Sequence, residues 1–109
     1  MKGGDRVITA IDGYVMRNRD YEDIDDAEKE QLLSALREFK QAVGGESCIS
    51  REVSLAFYEF AQVPNAWHTY YTQSDLEERY RFWLKCDSII RSIVWKYPDP
   101  IGLIGACRP

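Results

Sequence analysis

The chain has 109 residues, 45% of them hydrophobic and 13% aromatic, with a net charge of −4. That length fits a single domain over 1–109 with a core that needs neither metal nor disulfide, and the apolar content is too high for a disordered chain. The pI near 5.0 argues against a general phosphate-binding face, so no direct nucleic-acid contact is expected.

The patterning predicts an all-α fold. Its form is a single-domain bundle of about four helices (6–18, 26–43, 51–63 and 75–97) with an apolar C-terminal tail packed back. The segment Met1–Asp5 has no apolar stretch resembling a signal peptide. No apolar run approaches the ~20 residues needed to span a bilayer, so no membrane contact is expected.

In 6–18, Val7, Ile8, Ile11, Tyr14 and Val15 recur at helical spacing. The Asp12-Gly13 pair between two short apolar runs is equally a hairpin signal. Helix is favoured, because a lone two-stranded hairpin has no third strand to support it.

Residues 20–30 hold Asp20, Glu22, Asp23, Asp25, Asp26, Glu28 and Glu30 against one base, Lys29. Such a concentration projects a field that attracts cationic partners. Asp25 can cap the following helix, with Glu28 as reciprocal partner in a capping box, and acids are favoured near the positive end of the helix dipole. Asp20, Glu22 and Asp23 precede that turn and are less well explained by it. A calcium loop is not formed, since the alternating ligand pattern breaks at Ile24 and the turn glycine is missing. No metal is expected.

Leu32, Leu36, Phe39 and Val43 line one face of the 26–43 helix, and Gly44-Gly45 predicts a left-handed C-cap. The third helix, starting at Ser50 and ending at Val63 before Pro64, is apolar nearly all round, which predicts a central position. The stretch Asn65–Tyr71 follows as a loop-like connection rich in Trp67, His68, Tyr70 and Tyr71. Aromatics with polar tips either cover a core or anchor a protein interface. His68 has no recognisable nucleophile or carboxylate partner in sequence, so catalysis is not expected from it.

Ser74-Asp75-Leu76-Glu77 predicts the start of the last helix, and Pro98 its end. About 23 residues at 1.5 Å each give roughly 34 Å. Leu76, Tyr80, Trp83, Asp87, Ile90, Val94 and Tyr97 form a near-heptad stripe interrupted by Asp87, for which Arg91 one turn on is the expected partner. The bases of this helix scatter around it and predict a solvated face rather than a nucleic-acid surface.

Cys48, Cys86 and Cys107 lack metal-site spacing and predict three reduced thiols in a cytoplasmic protein. No P-loop, dinucleotide fingerprint, nucleophile elbow or H-E-x-x-H motif occurs, so neither an enzyme nor a cofactor is expected. The expectation is a small acidic binding protein that inhibits a basic, nucleic-acid-handling protein by occlusion, of the immunity or phage anti-defence type. Its candidate contact residues are Asp20, Glu22, Asp23, Asp25, Asp26, Glu28, Trp67, His68, Tyr70 and Tyr71, in a chain that is monomeric or homodimeric. The alternative is an assembly protein that forms a helical homodimer through 75–97.

Overall fold

A computed structural model of the protein describes residues 4–44 and 48–94, apart from the side chains at 68 and 69. The described residues form α1 (Gly4–Arg19), α2 (Asp26–Ala42), α3 (Arg51–Gln62), a 3₁₀ helix (Val63–Thr69) and α4 (Gln73–Val94). The fold is an all-α four-helix bundle, with no strand among the described residues. None of these helices is long and apolar enough to cross a membrane.

The ambiguous first segment is a helix. Val7, Ile11, Tyr14 and Val15 form its buried face, so the period-3.6 pattern outweighs the Asp12-Gly13 turn signal; Gly13 sits in open space on the outer face. α1 packs against α2 and α3, and α2 packs against α4. Leu32, Leu36 and Phe39 of α2, Val53, Phe57 and Phe60 of α3, and Cys86, Ile90 and Ile93 of α4 complete one apolar core.

Four local details differ from the sequence expectation. α2 ends at Ala42, where the Val43 N–H bonds to the Phe39 carbonyl at 3.0 Å and the Gly44 N–H to the Gln41 carbonyl at 3.4 Å. Gly44 does not take a left-handed backbone, and Gly45 lies outside the described residues. α3 is amphipathic rather than buried all round. Leu55 and Tyr58 are about half exposed, because α1 and the Trp83 ring cover only one side of it. The connection after α3 is not a loop: Pro64 at the second position of the 3₁₀ helix costs no hydrogen bond there and holds the chain helical through Thr69. α4 starts two residues earlier than expected. Thr72 is its cap, its hydroxyl accepting from the Asp75 N–H at 3.3 Å and donating to the Asp75 carboxylate at 2.8 Å.

Cys48 is disulfide-bonded, which corrects the expectation of three reduced thiols, whereas Cys86 is a free thiol with no exposure. A reducing compartment therefore no longer follows from the cysteines. Burial, the largest cause, pushes the Cys86 thiol up to about 12. Asp87 meets its expected partner, with Arg91 Nε donating to its carboxylate at 2.7 Å. Residues 95–97 of the expected last helix, and the apolar tail beyond them, lie outside the described residues.

Candidate functional site

The site is built on the way α1 ends. The Glu22 N–H bonds to the Arg17 carbonyl at 2.8 Å and the Tyr21 N–H to the Asn18 carbonyl at 3.3 Å, which is the double bond pattern of a Schellman cap. The left-handed residue in that cap is normally glycine. Here it is Tyr21, at φ 55°. The cap turns the chain sharply, so the acidic run folds across the bundle end instead of extending α1 into solvent.

Asn18 fixes the floor. Its amide donates to the Tyr14 carbonyl at 2.8 Å and accepts from the Trp67 indole N–H at 3.1 Å. Trp67 is only 1% exposed and packs edge-on against Tyr80, with ring centroids 5.0 Å apart. It pins the 3₁₀ helix to α1 and offers no contact surface, which removes it from the expected interface set. The His68 side chain lies outside what the structure describes.

With Trp67 buried, the chain beyond it presents Tyr70 and Tyr71. Tyr70 is 59% exposed and stacks on Tyr21, with centroids 4.0 Å apart, while Tyr71 meets both rings edge-on. Arg79 of α4 lies over the Tyr71 face, 3.7 Å from the ring centroid, and pairs with Asp23. Between these parts opens a cleft of about 500 Å³. One wall is Tyr14, Asn18 and the turn Tyr21–Ile24; the other is Tyr70, Tyr71, Asp75, Glu78, Arg79 and Phe82, with Lys29 at the side.

No protein-family model, curated protein or solved structure matches this chain.

The acidic run divides into three groups. Arg17 faces Glu22 at 3.6 Å and Glu28 at 3.4 Å, and Arg79 takes Asp23. Asp25 caps α2, accepting from the Glu28 N–H at 2.8 Å, but the Glu28 carboxylate turns to Arg17 rather than back to the cap. Asp20, Asp26 and Glu30 are exposed and have no ion pair among the described residues. The run is thus partly neutralised by the fold, and its remaining charge faces solvent.

The Tyr71 phenol is raised above its ordinary value by burial first, against the lowering pull of Arg79. Its hydroxyl is enclosed without a hydrogen-bond partner. Tyr14 is also raised, again by burial first, so both tyrosines stay protonated at neutral pH. Neither is poised to act as a base. Among the described residues no group of three His, Cys, Asp or Glu side chains could hold a metal.

Sequence reasoning brought Tyr70, Tyr71, Glu22 and Asp23 to one place but missed Tyr21, Arg17 and Arg79. Tyr21 stood inside the acidic run, where its neighbours' charge drew the attention. The need of seven carboxylates for counter-charges was the signal that could have found the two arginines.

Proposed function

We propose that this is a small acidic binding protein whose α1–α2 corner docks on a basic surface of a partner protein. The supporting observation is that Asp20, Asp26 and Glu30 are exposed with no ion pair among the described residues, in the segment that also holds Tyr21, exposed and stacked on Tyr70. Charge then steers the encounter and the rings add contact area. A basic, nucleic-acid-handling protein is the partner class with the most complementary surface, since sites built for phosphate also accept carboxylates. Inhibition by occlusion, as in immunity or anti-defence proteins, follows if the acidic corner covers such a site.

The homodimer reading draws less support. Leu76, Asp87 and Ile90 of the α4 stripe are buried in the chain's own bundle and are not available to a second copy.

The test is capture of partners from the native cell at low and high salt by the wild type and by the triple variant Asp20→Lys, Asp26→Lys, Glu30→Lys. Among the described residues these positions carry no cap and no ion pair, and circular dichroism checks that the variant keeps the fold, since Asp26 lies in the first turn of α2. A partner lost by the variant and at high salt supports the proposal, and its nucleic-acid activity should fall when the wild type is added. Capture indifferent to both charge reversal and salt overturns it.

A further inference from the structure

We propose that the cleft between the α1–α2 turn and the start of α4 receives a single arginine side chain of a partner polypeptide. This rests on the reading of the protein as a binder of basic surfaces and names the point of insertion.

The cleft already displays its preference. Arg79, the chain's own guanidinium, lies over the Tyr71 ring, 3.7 Å from its centroid, and meets the Asp23 carboxylate, with only 19% of its side chain exposed. A ring face plus a carboxylate is the arrangement that holds a planar cation, combining cation–π attraction with charge-assisted hydrogen bonding. A second ring and a second carboxylate, Tyr70 and Glu78, line the same cleft. The Tyr70 ring is exposed, and Glu78 has no ion pair among the described residues.

Charge selects among ligands. Four carboxylates (Glu22, Asp23, Asp75 and Glu78) line the cleft. Arg17 faces Glu22 and Arg79 takes Asp23, while Asp75 and Glu78 have no ion pair among the described residues, with Lys29 the remaining base of the lining. An incoming cation reduces that imbalance, whereas a phosphate or carboxylate ligand would be repelled. Lys29 lies toward the Phe82 ring, 5.5 Å from its centroid, and makes no ion pair with Glu78. Arginine is favoured over lysine because its guanidinium is planar, stacks on rings and gives up its hydration more readily. A volume of about 500 Å³ admits the side chain together with its flanking backbone.

The experiment is a titration of the isotope-labelled full chain with acetyl-Gly-Arg-Gly-amide, followed by amide chemical shifts. Parallel titrations use the same peptide with lysine or with citrulline, the neutral isostere of arginine. The expected result is saturable shifts confined to residues 21–24 and 70–79. Affinity for the citrulline peptide should be at least about tenfold weaker, and for the lysine peptide intermediate. Glu78→Gln and Tyr70→Ala, both at exposed positions, should each weaken the arginine peptide several-fold while leaving the remaining shifts in place. Equal binding of citrulline, shifts spread to distant acids such as Asp12, Glu38 and Glu59, or no saturation each overturns the proposal. If these two variants still capture the protein partner at wild-type strength, the cleft is wrong and the corner surface stands. If the triple corner variant captures the partner undiminished, the fault lies with the surface reading instead.

Discussion

Tyr21 and Tyr70 stack with ring centroids 4.0 Å apart and planes 16° from parallel, and Tyr21 reaches this position from a left-handed backbone at φ 55°. An aromatic residue in that conformation carries a steric cost of about 1 kcal/mol that glycine would not. The ring stack offsets it, at about 0.5–1.5 kcal/mol for a well-placed aromatic pair.

Separating the two terms gives the first prediction. Tyr21→Ala and Tyr21→Gly both lose the ring, but only the alanine keeps the steric cost. Urea denaturation should find the glycine variant more stable than the alanine variant by about 1 kcal/mol. Equal stabilities would mean that the cap is not left-handed in solution.

Asn18 and Trp67 should behave as a unit. Asn18→Ala leaves a buried indole N–H without an acceptor, at a cost of about 1–3 kcal/mol. Trp67→Phe removes the donor, so the double variant should lose less than the sum of the singles. Additivity in the thermal or urea data would show that the bond does not form.

The ion pair in α4 is asymmetric: the Asp87 side chain is 12% exposed and that of Arg91 78%. Arg91→Ala therefore strands a mostly buried carboxylate. Asp87→Leu removes that carboxylate and extends the apolar stripe. Asp87→Leu should be neutral or stabilising, and Arg91→Ala the more harmful of the two, although each breaks the same bond. Unfolding of Asp87→Leu would contradict this.

Alkaline pH should destabilise the protein in two stages. Cys86 is raised from 9.0 to about 12, and Tyr14 is raised above 10.0, in both cases by burial first. The unfolded chain therefore releases these protons at lower pH than the folded one. Their contribution is intact below pH 9 and falls as pH rises, by roughly 1.4 kcal/mol per pH unit for each group. Stability should begin to drop near pH 9 and fall faster above pH 10. Cys86→Val should abolish the first stage and roughly halve the slope of the second, to which Tyr14 alone then contributes.

The fold was legible because its cues are local. The cues for the α1 face, the Asp25 cap and the Asp87–Arg91 pair each span only a few residues and obey helical geometry. The site was legible only in part. Trp67 looked like an interface anchor because its burial depends on Asn18, 49 residues earlier. The acidic run looked like a uniform field because Arg79, which takes one of its carboxylates, comes 56 residues later. The distinction between an α4 capped at Thr72 and one capped at Ser74 was lost to two hydroxyl residues separated only by Gln73, either of which can cap.

The Asp23–Arg79 pair joins segments that lie on opposite sides of α2 and α3 in the chain. A chain emerging from the ribosome has its first three helices before Arg79 exists, and through that interval Asp23 lacks its guanidinium. The cleft is thus among the last features that synthesis can assemble, since bringing its walls together requires closing a long loop. A fragment ending before α4 would retain Glu22 and Asp23 but lose Asp75, Glu78 and Arg79, and with them one wall of the cleft. Binding in the cleft thereby reports that the whole bundle has closed.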